Sequence, residues 1–416
     1  MRLVRQALLL LTFGLLLGGA YRSVRIAYAD HLYRLGDSDS VARAIGMEPG
    51  RALYRAGLGE LLASSAGDAR ATLRKSVELS PSDANLRIRL GLELETWGEF
   101  AEAERELLAS AQISAKYAPR WTLMNYYYRR GVREEFWRWT RQALETSYRD
   151  RRPVFDLCWA MSPSPAVILD RAVPARRPVR LDYAWYLATR GEWTTAAALM
   201  KDLAREAHPG EQDRLVGFVD ALLNVKLFPQ ATAVWNSLAR RSVVPFDPPE
   251  PKTGSGITNG DFASPPSAHG FDWRIVPTDG VFIAHDPARG LSLSLSGTQP
   301  ETCEILHQYF PVEPLQYYRL ECDYQNSTSR LFNHLRAGGL EWRVQLPGTR
   351  EPWRAIFNLS GEEGDHHDRH EFLAPRGVSM ARLVLLHHRQ RGAMKMEGDV
   401  LLKRVKLQHL GPFRAE

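Results

Sequence analysis

The sequence is poor in the residues that usually build covalent or metal frameworks. Its 416 residues hold three cysteines, Cys158, Cys303 and Cys322. Three thiols cannot make a disulfide framework or a tetrahedral thiolate site. One bridge, Cys303–Cys322, stays open for an exported chain, and isolated buried thiols are the plainer expectation. Catalytic signatures are missing too: there is no nucleophile elbow, no phosphate-cradling glycine loop and no helix with paired zinc-binding histidines. A non-enzyme is expected. Charge of one sign is scarce, since +6 spread over the whole length falls short of a nucleic-acid footprint. No nucleic-acid partner is expected. What is present is ordinary globular composition, with 44% hydrophobic and 25% charged residues, in a chain too long for one core.

The N-terminus is distinctive. Arg2 and Arg5 precede the apolar run Ala7–Ala20, ALLLLTFGLLLGGA. A basic start before about 14 apolar residues fits a secretory h-region and is short for a full span. Gly18-Gly19-Ala20 and Ala27-Tyr28-Ala29 offer small-residue cleavage sites, while Arg22 and Arg25 close behind the run oppose cleavage. Residues 1–29 therefore read as a signal anchor or a signal peptide. On both readings the body lies outside the cytoplasm, on the periplasmic side of the inner membrane if the source is Gram-negative.

Between residues 40 and 115 the sequence repeats itself. Gly57, Ala69, Leu73, Ser76 and Pro81 are followed 34 residues later by Gly91, Ala103, Leu107, Ser110 and Ala115. Small residues let paired helices approach, leucine fills the gap beside them, and Pro81 stops the second helix. Ala184, Gly191, Ala196 and Met200 fit the same template, and Ala231, Trp235 and Leu238 repeat its second half. Trp121–Leu144 reads as a helix hairpin turning at Gly131, and 151–180, broken by five prolines, as an irregular or shortened repeat. This pattern resembles the tetratricopeptide superfamily over residues 40–242. The resemblance implies a helical solenoid over 30–242 whose concave groove takes a partner protein. The repeat-packing residues are expected to be Gly57, Ala69, Leu73, Gly91, Ala103, Leu107, Ala196 and Ala231. Aromatics and arginines interleave between Trp121 and Arg141; core packing with a solvated arginine face is expected, and a contact with an anionic polysaccharide or acidic protein is the alternative.

Residues 243–257, with four prolines, read as a linker. Beyond them the period becomes two, as in Leu291–Leu295 and in Leu340, Trp342, Val344 and Leu346. Ile257-Thr-Asn-Gly-Asp-Phe262 with Gly270-Phe-Asp-Trp273, then Gln308, Phe310, Pro314 and Tyr317–Leu320, resemble the galactose-binding-like jelly rolls found among carbohydrate-binding modules. The resemblance implies a β-sandwich over 258–416. It also implies that Asp261 can be a ligand of a structural calcium; no other cofactor is expected. Trp273 and Trp342 are expected in the core. Trp353 beside Arg354 is the candidate for stacking on a sugar and bonding an acidic one. The run Gly364–Glu371, GDHHDRHE, carries potential metal ligands, but a polar loop between strands is the plainer reading. Glu301, Glu304 and Glu341 are carboxylates that nothing marks as a glycosidase pair.

The fold class is thus multidomain, α then β: an α-solenoid of tetratricopeptide-like hairpins followed by a jelly-roll sandwich. The expected function is a non-catalytic extracytoplasmic scaffold or accessory protein of an envelope polysaccharide biosynthesis or export system. Its repeats would hold protein partners and its β domain a glycan. Two alternatives stay open, a pure protein-assembly scaffold and a glycan-processing hydrolase.

Overall fold

The computed structural model describes residues 2–252, 256–327, 339–348, 352–389 and 396–412. Among them are fourteen α-helices in tetratricopeptide-like hairpins followed by two antiparallel five-stranded sheets, as the sequence implied. The chain divides into two compact units, Met1–Arg180 and Leu181–Glu416.

The first unit begins with α1 (Arg2–Leu35), which pairs with α2 (Ser38–Met47). Then come the hairpins α3 (Ala52–Ser64) with α4 (Arg70–Leu79), α5 (Ala84–Thr96) with α6 (Phe100–Ile113), and α7 (Tyr117–Arg130) with α8 (Arg133–Thr146). The punctuation is local chemistry. Asp37 starts α2 by accepting the Ser40 N–H at 2.8 Å, and Asp83 starts α5 by accepting that of Asn85 at 2.9 Å. Gly131 ends α7 in the left-handed region, φ 68°, where a side chain would be strained. The proline-broken stretch forms two short helices, in keeping with a shortened repeat, and prolines begin both of them. Pro153 sits in the first turn of α9 (Arg152–Met161) and Pro165 in that of α10 (Pro165–Arg171).

The repeat-packing residues are buried as expected: Ala69, Ala103 and Leu107 are fully so, and Leu73 nearly so. A Cβ on Gly91 would lie 2.7 Å from Leu107, so the small residue lets α6 lie against α5. Gly57 meets a different neighbour from the one its spacing suggests. A Cβ there would strike the Tyr33 ring of α1 at 2.5 Å, while Leu73 sits against Gly59. The connections explain the difference: residues 65–69 join α3 to α4, but only residues 97–99 join α5 to α6. The longer turn changes the register between the two paired helices.

The second unit holds most of α11 (Arg177–Thr189), then α12 (Trp193–Ala204), α13 (Gln212–Asn224) and α14 (Phe228–Arg240), and the sheets. Ala196 and Ala231 are fully buried. The strands are β1 (Arg274–Ile275), β2 (Val281–Asp286), β3 (Gly290–Ser296), β4 (Thr302–Pro311), β5 (Gln316–Ser327), β6 (Leu340–Gln345), β7 (Pro352–Asn358), β8 (Gly364–Leu373), β9 (Met380–His388) and β10 (Glu397–Pro412). One sheet runs β1-β4-β9-β6-β7 and the other β2-β3-β10-β5-β8. Their facing sides bury Trp273, Leu293, Phe310, Tyr324, Trp342 and Leu402. Trp273 and Trp342 lie 5.9 Å apart, both in the core as expected.

The proline-rich stretch is tied down. Val243 and Val244 are buried, Arg240 pairs with Glu250 at 2.7 Å, and Lys252 pairs with Glu313 at 3.1 Å. Asp220 of α13 accepts the Gly270 N–H at 2.7 Å, the Arg274 guanidinium at 2.7 Å and bonds His269 at 2.6 Å. Trp235 of α14 lies 5.9 Å from the Phe271 ring. At Gly270, φ 55°, a Cβ would reach within 2.1 Å of the indole. The last helices and the opening loop of the sheets therefore form one folded body.

Candidate functional site

The helices of the first unit leave a shallow depression lined by Leu92, Glu95 and Thr96 of α5, Phe100 of α6, and Arg129 and Arg130 of α7. Its volume is about 540 Å3. Two facts of the repeat create it. Successive first helices lie side by side, so α5 and α7 both reach the same surface, and the short turn at 97–99 brings Phe100 to the rim. Arg129 grips Glu95 with two bonds, Nε to Oε1 at 2.8 Å and Nη2 to Oε2 at 2.6 Å. Arg130 stands 3.6 Å from the Phe100 ring centroid, a cation–π contact that keeps its charge at the surface. Leu92 is 39% exposed and Phe100 37%, so the depression combines an apolar floor with cations at its edge. Tyr126 closes the back, donating its hydroxyl to the Phe100 carbonyl at 3.0 Å. Such a surface accepts an apolar side chain and bonds a nearby carboxylate or backbone carbonyl.

The aromatics between 121 and 139 are spent on packing: Tyr126, Tyr127, Phe136, Trp137 and Trp139 are all buried. Burial, with a 2.6 Å bond to Glu104, pushes the Tyr127 hydroxyl well above its usual range. Their interleaved arginines therefore work singly, as Arg129 and Arg130 do, and not as one face of stacked rings.

In the sheets the opening motif is a structural latch. Asp272 is fully buried, and burial raises its carboxyl above the usual range despite two bonds, from the Ser267 N–H at 2.6 Å and Asn259 Nδ2 at 3.1 Å. Trp273 donates Nε1 to the Asn259 carbonyl at 2.9 Å, and Gln308 donates to that of Thr258 at 2.8 Å. Asp272, part of the motif in the sequence but given no role there, is thus the acid that closes it. The other acid, Asp261, is exposed and accepts the Ala263 N–H at 3.2 Å. It borders a groove of about 390 Å3 with Arg289, Gln325, Leu401 and Lys403. No group of three or more His, Cys, Asp or Glu side chains stands ready for a metal ion among the described residues. Asp261 shares this groove with the cations Arg289 and Lys403.

The histidine-rich run is a strand and not a loop. It forms β8, paired with β5 along its length at the edge of the sheet. Its side chains alternate. Outward, Asp365 meets Lys403 at 2.5 Å, His367 meets Asp323, and Glu371 meets Arg319 at 2.7 Å. Inward, Asp368 accepts the Tyr324 hydroxyl at 2.7 Å, His366 stacks on Tyr324 at 5.0 Å and His370 on Phe357 at 4.3 Å. Polar residues on both faces hide a period of two.

Trp353 is half-buried and packs against the sandwich core, its ring 6.0 Å from that of Phe372. Its Nε1 is buried without a partner, so much of the indole is turned inward. The Arg354 side chain lies outside the described residues. Cys303 and Cys322 sit on different sheets as free thiols, and burial pushes Cys322 up to about 12. The carboxylates are engaged: Glu301 with Arg389, Glu341 with Arg343, and Glu304 with Arg382 and, at 2.5 Å, His307.

No protein-family model matches the chain, and no curated protein matches it. Among solved structures the chain is similar to YrrB, titled a TPR protein with an unusual peptide-binding site. Identity is 14%, coverage is 50% of this chain and 94% of that one, and the TM-score is 0.26. It is also similar to the C-terminal part of a TPR repeat-containing protein from Cytophaga hutchinsonii, at 13% identity over 53% and 95% of the two chains, TM-score 0.31. A third similarity is to the module titled BiXyn10A CBM1, at 16% identity over 36% and 95%, TM-score 0.24.

Proposed function

We propose that this protein is a non-catalytic scaffold that captures a segment of a partner protein in the repeat groove beside Phe100. The observation that carries the reading is the depression itself: exposed Leu92 and Phe100 with Arg130 held over the ring. A short peptide with one apolar anchor and an acidic neighbour matches it, the anchor on Phe100 and the carboxylate on Arg130. The hydrogen-bonding, ion-paired state of the sheet carboxylates supports a binding role over hydrolysis. We further propose that the N-terminal segment sends the body outside the cytoplasm, where such a scaffold would serve an envelope polysaccharide assembly or export system.

A second reading, glycan binding by the sheet domain, is favoured by the groove at Arg289 and Gln325. Neither side chain has a hydrogen-bonding or ionic partner among the described residues, so both are free to bond an acidic sugar. The inward turn of the Trp353 ring moves the centre of this reading from Trp353 and Arg354 to that groove. Selection of displayed peptides against the full-length chain tests the first reading. Enrichment of apolar-acidic sequences that are released by Arg130→Glu supports it. Peptides insensitive to that change, with retention of acidic polysaccharide lost in Arg289→Ala, would favour the second.

A further inference from the structure

The helix α1 runs unbroken from Arg2 to Leu35, and its two ends live in different surroundings. Over the first part Leu9, Leu10, Leu11, Phe13, Leu15, Leu16 and Leu17 are each more than half exposed. Consecutive helix positions point about 100° apart, so these residues cover every side of the cylinder and not one stripe. A partner helix or a groove would cover one face and leave the other in water. Only lipid solvates such a surface all round. Arg5 and Arg22 bracket the run, roughly 24 Å of helix at 1.5 Å per residue against a hydrocarbon core of about 30 Å. Long arginine side chains reaching outward from both ends make up the shortfall.

The last part of the same helix belongs to the repeats. Ala29 is fully buried and Leu32 nearly so, in a cluster with Ala44 and Tyr54. The Tyr33 ring fills the space that Gly57 leaves open and lies 5.1 Å from Tyr54. Asp30 accepts the Tyr54 hydroxyl, and Arg25 pairs with Glu48 at 3.3 Å. Of the two small-residue sites, Ala27-Tyr28-Ala29 is therefore helical and pinned by its own last residue. A processing protease binds its substrate extended, and this segment cannot be drawn out without dismantling the first hairpin.

We infer that α1 is a retained membrane anchor that is at the same time the first helix of the repeat array, so the array stands on the bilayer through a rigid helix and not through a tether. This deepens the membrane placement within the proposed function and is separable from groove binding, which a processed chain would keep. The test uses the full-length chain expressed in cells with a general secretion pathway. The account expects an intact mass that includes the N-terminal segment, and a chain that stays with membranes through an alkaline wash. Leu11→Arg with Leu15→Arg should release the chain from the membrane without changing its helical melt. Tyr33→Ala should leave it in the membrane and lower the helical melt in detergent by roughly 3 °C or more. A mature chain starting at Tyr21 or Asp30, or one that washes free, overturns retention. A Tyr33→Ala melt equal to wild type overturns the shared helix.

Discussion

Gly91→Ala puts a single methyl group where α5 meets α6, and the structure gives the size of the conflict. The new Cβ would stand 2.7 Å from both Cγ and Cδ2 of Leu107 and 3.3 Å from the Ala103 carbonyl oxygen. Ordinary carbon contacts begin near 3.5 Å, so something must move by nearly 1 Å. Leu107 is fully buried and cannot swing into solvent. Overpacking of this kind costs about 1–3 kcal/mol. Replacing a helical glycine by alanine returns about 1 kcal/mol of helix propensity. The net expectation is a loss of about 1 kcal/mol, or roughly 2–4 °C in a unit of this size. Gly46→Ala is the control: Gly46 lies in α2 with nothing within 4 Å of its missing Cβ. There only the propensity gain applies, so the variant should melt higher by a few tenths to about 1 kcal/mol. Thermal unfolding followed by far-ultraviolet circular dichroism reads both. If the two alanines stabilise alike, Leu107 does not wedge against α5 and the packing argument fails.

Asp220→Ala should lower the melting of the helical and sheet signals of the second unit together, because it strips the Gly270 N–H and Arg274 of their shared acceptor; a cost of about 2 kcal/mol is expected, and a change in only one signal would separate α13 from the sheets. The sheets should also weaken under mild acid. His307, His370 and His387 all have their pKa lowered, first by burial, which disfavours the charged ring. Groups lowered in the folded state contribute stability that is present above the ordinary value near 6.5 and is lost as pH falls through the folded values. The sheet transition should therefore move down between pH 7.5 and 5.5, and His370→Phe should flatten part of that slope; a flat wild-type profile across this range would contradict the burial of these rings.

The helical half was legible because its grammar is local. Identical small residues at one spacing and a turn glycine at 131 each act within a few positions of themselves. Register escaped the same reading, since the partner of Gly57 depends on the length of a turn and on a ring in α1 that no spacing reveals. Prolines 153 and 165 marked the shortened repeat, because the residue that breaks a helix interior is also well suited to begin one. In the sheets, alternation exposed strands with one apolar face, such as β3 and β6. It failed for β8, polar on both sides, whose facing partners Lys403, Asp323 and Tyr324 come from strands far along the chain. The groove was hidden likewise. Phe100 lies in α6 and Arg129 and Arg130 in α7, and only the stacking of neighbouring repeats brings them together.

The central claim is that the groove beside Phe100 holds a partner segment, and one affinity measurement addresses it directly. A labelled peptide from the selected family is titrated with the wild-type chain, with Arg130→Ala and with Arg289→Ala in the sheet groove. The account predicts that Arg130→Ala weakens binding about tenfold, about 1.4 kcal/mol, with an unchanged melt, and that Arg289→Ala binds like wild type. Equal affinity for all three chains would contradict it.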